Sequence, residues 1–444
     1  MNMSEKRKYE RPLLKTIEPS MPSKTGSMTS VSQISEIDGM SLELLAAKEG
    51  TPLFVFSEQQ IRTNIRNAKR AFSTRYPSVN FAWSYKTNYI SSICKVFHEE
   101  GSWAEVVSGL EYQKALNNGC DPKKIIFNGP SKTVEDLRQA VMNDSLIHID
   151  NTHELCRLLS VTEELNQQAR VAVRINMNVG TYPQWDRFGF NLEDGSAWYT
   201  ITQVMHEKRL TLTGIHCHIG TFILSADIYK KATMKMVALA CRLESEFSFS
   251  LQYVDLGGGF ASKNTLKGSY VNGAELTPSM DDYAEAITSV LLKTQFPSGQ
   301  RPMLILETGR ALIDDAGYLL TSVLNHKRLA NGVSNTVVDA GVNLLFTSFW
   351  YNHKVSVVQT SGSFVEETRL TGPLCMNIDV IRERVALPIL NPGDLLLIHH
   401  VGAYNVTQWM QFIEYRPSVV MIADGKMKVI RRREDYDYVT SLES

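Results

Sequence analysis

The stretch Val79-Asn-Phe-Ala-Trp-Ser-Tyr-Lys86 decides the fold. It is a short apolar and aromatic run, too brief for a helix, and it stops on a single amine. Seven further runs of this kind follow in order: Trp103–Ser108, Lys123–Gly129, Leu146–Asn151, Val171–Asn178, Gly214–Gly220, Tyr253–Gly259 and Met303–Arg310. Helix-periodic segments such as Val134–Val141 and Ala232–Ala240 lie between most of them. Apolar strands alternating with amphipathic helices signal a parallel sheet. Eight such units over about 250 residues match a (β/α)8 barrel. A doubly wound open sheet fits the same alternation and stays open as the alternative.

Outward from the barrel the pattern changes. Beyond Arg310, the runs Gly317–Val323, Asn335–Val338, Lys354–Gln359, Asp394–Ile398 and Met427–Ile430 read as antiparallel β structure. An early helix, Ser41–Lys48, leads to an apolar strand, Pro52–Phe56, that joins this second domain. The expected division is a mobile tail over 1–30, an N-terminal part of the β domain over 31–56, a barrel over 57–313 and a C-terminal β domain over 314–444. The tail is expected from its Ser, Thr, Pro, Lys and Arg content.

The 46 Lys and Arg residues balance 47 Asp and Glu, so no positive field is available for nucleic acid or an anionic membrane. No apolar stretch approaches the ~20 residues that span a bilayer, and the N-terminus has no signal-peptide core. The six cysteines lack CxxC pairing, which reads as reduced thiols in a cytoplasm.

In a (β/α)8 barrel, reactive groups gather where the strands end. Those ends carry Lys86, Glu105 with Ser108, Arg174, His218 with Gly220 and Thr221, Gly257-Gly-Gly259, and Glu307 with Arg310. Lys86 follows apolar neighbours, and partial desolvation is expected to lower its pKa and make the amine nucleophilic toward an aldehyde. Alone, such a lysine reads as a solvated strand edge. The three glycines let backbone N–H groups approach an anion, although GGG by itself is a weak signal. Glu307 and Arg310 suit a ring nitrogen and a phosphate respectively. His216-Cys-His218 could supply metal ligands from one side of a strand. No second group of His and Asp is evident to complete a shell, so no metal is expected and His218 is read as a stacking ring.

Together these residues resemble the pyridoxal-phosphate decarboxylases on an alanine-racemase-like barrel: the diaminopimelate, ornithine and arginine decarboxylase group. The resemblance runs from about Asp38 to Tyr438. It is carried by Tyr85-Lys86-Thr-Asn88, Glu105-Val-Val-Ser-Gly-Leu-Glu111, Arg187-Phe-Gly-Phe190, His218-Ile-Gly220, Gly257-Gly-Gly-Phe260, Glu307-Thr-Gly-Arg310, Gly372-Pro-Leu-Cys375 and Gly402-Ala-Tyr404. It implies that Lys86 holds pyridoxal 5'-phosphate as a Schiff base, His218 stacks on the ring and Glu307 pairs with the pyridinium nitrogen. Thr221, Gly258, Gly259, Arg310 and Tyr404 would bind phosphate, with Glu105 and Arg174 behind the cofactor. Cys375 would arrive from the partner subunit of a homodimer and donate a proton at Cα, so that the active site is shared. Without the resemblance, Cys375 reads as a structural thiol.

The chain departs from both family solutions for a charged substrate tail. The diaminopimelate enzymes follow the cysteine with Glu-Ser and carry an Arg after Asp-Ala-Gly. Met376-Asn377 and Thr347 stand at those places, and Met376 and Ala340 stand where ornithine enzymes have acids. An unpaired buried charge costs several kcal/mol. The expected substrate is therefore a modified or conjugated non-basic amino acid of siderophore or other secondary metabolism. It would sit against Thr347, Tyr351, His353, Met376 and Asn377, with a diaminopimelate, ornithine or lysine type as the alternative. A racemase, a non-catalytic cofactor carrier and a metal hydrolase are weaker rivals.

Overall fold

A computed structural model describes residues 31–181, 184–359 and 364–443; the tail expected over 1–30 lies outside the described residues. Strand β1 (Leu53–Ser57) is followed by the eight barrel strands β2 (Val79–Ser84), β3 (Trp103–Val106), β4 (Ile125–Phe127), β5 (Leu146–Ile149), β6 (Ala169–Asn176), β7 (Leu210–Cys217), β8 (Tyr253–Asp255) and β9 (Met303–Thr308). Neighbours run β7–β8–β9–β2–β3–β4–β5–β6, all parallel, and a β6–β7 pairing closes the ring. Closure removes the open-sheet alternative.

Local chemistry accounts for the helices around the barrel. Ser57 caps Glu58–Ser73 by accepting the Gln60 N–H at 2.9 Å. Thr133 and Asp136 form a reciprocal capping box for Val134–Met142. Such caps satisfy amide donors that the first turn leaves free. The expected helix within 232–240 is longer, Ala226–Phe247.

The second domain is a nine-stranded mixed sheet. Its strands are β1, β10 (Gly317–Arg328), β11 (Ser334–Val338), β12 (Val355–Val357), β13 (Val365–Thr371), β14 (Val380–Pro388), β15 (Leu395–His399), β16 (Val419–Ala423) and β17 (Lys426–Arg431). Most pairs are antiparallel, but β11–β13 and β1–β16 are parallel. β1 lies between β10 and β16, so the N-terminal segment is integral to this sheet.

Strand alternation builds the barrel interior in layers. Ala82, Ile126, Leu146, Ala172, Tyr253 and Ile305 pack as one buried apolar cluster. Two residues further along the same strands, side chains return to the same face. There the residues are Ser84, Asn128, His148, Arg174, Asp255 and Glu307, all buried. Glu105 on β3 and His216 on β7 join them. An apolar floor thus carries a polar layer, and the site sits on that layer.

Candidate functional site

Lys86 lies in a tight turn, Tyr85–Thr87, just past β2. Its Nζ donates to both oxygens of Glu105, at 2.8 and 2.6 Å. Glu105 is 1% exposed and also accepts from Ser84 Oγ at 2.5 Å. The lysine side chain remains 39% exposed, open to the cavity. The expectation of a lowered amine pKa is corrected. Burial does pull it down, but the carboxylates of Glu105 and Glu307 outweigh that and hold the ammonium above its ordinary range. Apolar neighbours in sequence could not reveal a carboxylate arriving from the next strand.

A two-lobed cavity surrounds the amine. One lobe, about 250 Å³, is lined by Lys86, His218, Thr221, Gly258, Gly259, Glu307, Arg310 and Tyr404, together with Ser84, Trp185, Trp350 and Gln408. The other, about 260 Å³, reaches Glu105, Asn128, Arg174, Phe188 and His216; Lys86, Trp185, His218 and Glu307 border both. Every residue expected to touch the cofactor therefore converges on one cavity.

The glycine loop is shaped by close approach. A Cβ on Gly258 would stand 2.3 Å from the Glu307 carbonyl oxygen, and one on Gly259 would stand 2.3 Å from that of Gly220. Gly259 also has φ +97°, where a side chain is strained. The Gly258 N–H donates to His218 Nδ1 at 3.2 Å. Burial, then the Arg174 and Lys86 cations, press the His218 pKa down to about 3, leaving a neutral flat ring. Arg310 lies among Phe222, Tyr351 and Tyr404, with its guanidinium 4.5 Å from the Tyr404 ring.

The β domain completes the site. Tyr404 N–H donates to Thr87 O at 2.9 Å, Thr407 Oγ1 to Lys86 O at 2.9 Å and Asn88 Nδ2 to Gly402 O at 3.1 Å. The loop 402–407 therefore clamps the lysine turn. A tethering amine, a glycine cradle, a guanidinium and a buried acid opposite them fit an aldehyde cofactor with a ring nitrogen and a phosphate.

The substrate residues are placed otherwise. Thr347 and His353 are 1% and 0% exposed and hydrogen-bond to each other at 2.9 Å; Thr347 also bonds Asn405. They do not line the cavity, because their polar groups are used inside the β domain. Tyr351 is buried with its hydroxyl accepting from Arg310. Cys375 and Asn377 are exposed and Met376 half-buried, on a loop that borders neither lobe.

Reading by motif missed Asn128, whose Nδ2 donates to both Glu105 and Glu307, and Trp185, which borders both lobes. It also missed His148 and Asp255. Contrary to the expectation that nothing accompanies the HxH pair, His148, His216, Asp255 and Glu307 bring one ligand atom each within 4.8 Å of one another. The available signal was alternation: Asn128, His148 and Asp255 follow the core residues Ile126, Leu146 and Tyr253 by two positions.

Comparisons with known proteins agree with this geometry. Residues 59–314 match the family model described as "Pyridoxal-dependent decarboxylase, pyridoxal binding domain". The chain is 30% identical over 417 residues to diaminopimelate decarboxylase of Aquifex aeolicus, covering 91% of this chain and 94% of that protein. It is 31% identical over 415 residues to that of Methanocaldococcus jannaschii, covering 90% and 92%. A crystal structure of the M. jannaschii enzyme superposes with a TM-score of 0.85 at 29% identity, over 93% of this chain and 97% of that one.

Proposed function

This chain belongs to the pyridoxal-dependent decarboxylases, and from that premise we propose that it removes the α-carboxylate of a diaminopimelate-type amino acid as CO2. The observation that carries the reading is the convergence of Lys86, His218, Glu307, the Gly258–Gly259 cradle and Arg310 on one cavity. Pyridoxal phosphate, when bound, supplies an electron sink for the pair left behind by CO2. Lys86 would hold its aldehyde, with Glu105 keeping the released amine close. Glu307 would face the ring nitrogen, and the neutral His218 ring would stack. Gly258, Gly259, Thr221, Arg310 and Tyr404 would hold the phosphate. Trp185, Phe188 and Trp350 give the cavity aromatic walls.

Cys375 would serve as the proton donor at Cα from a second subunit. Its loop is exposed in one chain, as a residue donated across a homodimer must be. All six cysteines are unpaired, which suits a reducing compartment such as the cytoplasm. No helix among the described residues is long and apolar enough to cross a membrane.

The diaminopimelate type is the better-supported substrate, because the relatives above bear that name over more than nine-tenths of their lengths. Neither relative named above is described by a siderophore substrate. A conjugated, uncharged tail stays as a second reading on one observation: Met376 and Asn377, which directly follow Cys375, carry no charge. The test is CO2 release from meso-diaminopimelate, lysine, ornithine and N-acylated diamino acids. Preferred turnover of diaminopimelate establishes the first reading; turnover of acylated substrates alone establishes the second. Release from none, with no borohydride-sensitive chromophore that Lys86→Ala abolishes, defeats both.

A further inference from the structure

Beneath Glu307 lies a group of buried polar side chains that the proposed reaction does not use. Asp255 is 0% exposed; its Oδ1 accepts the Gly257 N–H at 2.8 Å, and its Oδ2 has no hydrogen-bond partner. His216 Nε2 stands 3.3 Å from Glu307 Oε2 and His148 Nδ1 4.0 Å from Glu307 Oε1. Asn128 Nδ2 donates to Glu307 Oε1. His148 Nε2 is committed to Tyr253 OH at 3.0 Å.

The charges around this group can be paired off. Lys86 is taken by Glu105, Arg174 by Asp150 at 3.4 Å and Lys132 by Glu154 at 2.8 Å. Two carboxyl groups remain, Glu307 and Asp255. A bound pyridinium matches one of them. Two adjacent buried carboxylates facing a single positive charge cannot both ionise without a large penalty. Both imidazoles are pushed well below their ordinary range by burial first, so neither supplies a second cation.

We propose that Asp255 is a positioning residue: a neutral carboxylic acid whose Oδ2 donates a hydrogen bond to Glu307 and so presents that carboxylate, charged, to the ring nitrogen. Burial and the neighbouring Glu307 charge raise the Asp255 pKa well above its usual value, in the same sense. The Gly257 contact has a second consequence. Asp255 ties the start of the phosphate cradle to the acid beneath the ring, so the two ends of the cofactor site share one support. This inference rests on the decarboxylase reading only for the identity of the ring.

An amide can replace a protonated acid here. Asp255→Asn keeps an oxygen for Gly257 N–H and gains an N–H for Glu307, whereas Asp255→Ala keeps neither. The test is infrared difference spectroscopy of the cofactor-loaded protein at neutral pH, together with cofactor titration of both variants. The expected result is a carbonyl stretch of an un-ionised carboxylic acid, lost in Asp255→Asn. Asparagine should keep cofactor affinity and its absorption band within about threefold, and alanine should weaken binding at least about tenfold. Absence of the acid band in wild-type protein would overturn the proposal even if a variant fails to fold. So would an asparagine variant that folds but behaves as alanine, or a stoichiometric metal ion in purified protein. Failure of wild-type protein to form any chromophore would instead count against the decarboxylase reading.

Discussion

Gly258→Ala is the substitution whose cost can be worked most directly from the geometry. The new Cβ would lie 2.3 Å from the Glu307 carbonyl oxygen, where ordinary contact begins at 3.4 Å. That obstacle is backbone, so no rotamer relieves it, and the loop must retreat from β9 by about 1 Å. Retreat stretches the bond from Glu307 N–H to Gly257 O, now 2.9 Å, and that from Gly258 N–H to His218 Nδ1, now 3.2 Å. Overpacking of this kind costs about 1–3 kcal/mol. Loss of one hydrogen bond to a charged phosphate costs about 1.5–3 kcal/mol, or roughly a ten- to hundredfold rise in the cofactor Kd. Absorbance titration with pyridoxal phosphate reads the affinity, and urea denaturation of cofactor-free protein reads the stability. A Kd within about twofold of wild type together with an unchanged midpoint would refute the claim that the loop is held by backbone contact.

Two further outcomes follow from the same structure. Glu111, buried near Glu105, has its pKa pushed up to about 7, by burial first and then by the Glu105 charge. The folded state therefore keeps a proton that the unfolded chain releases near its ordinary value of about 4.3, so stability falls as pH rises from about 4 to about 7. Glu111→Gln, which retains an acceptor for the Val107 N–H, should flatten that fall by a few kcal/mol across the window. An unaltered slope in denaturation midpoints between pH 5 and 8 would contradict the assignment. If Cys375 acts across a dimer, mixing Lys86→Ala with Cys375→Ala subunits should restore about a quarter of wild-type activity through hybrid dimers carrying one intact site. Mixtures no more active than either parent would place the cysteine elsewhere.

Part of the site was legible in short motifs because local chemistry demands particular residues there. Lys86 must end a strand, Gly258 and Gly259 must lack side chains to let backbone oxygens approach, and Arg310 must follow a glycine. The polar layer was not legible that way. Asn128, His148 and Asp255 come from three different strand segments, far apart in sequence, and meet His216 only when β6 meets β7 and the ring closes. Thr347 and His353 were not placed by motif for the same reason, since motif alignment cannot say whether a side chain faces a cavity or a hydrogen-bond partner.

The order of strands, helices and polar strand-end residues, and with it the barrel and the lysine at the end of its first strand, was determined by the chain's own pattern of apolar runs and punctuating glycines. The charge on that lysine, the assembly of four buried polar side chains beneath the ring position, and the clamp from the 402–407 loop were decided only in three dimensions. Electrostatic interaction depends on distance through space, and residues such as Lys86 and Tyr404, more than three hundred positions apart, become neighbours only once the two domains are joined.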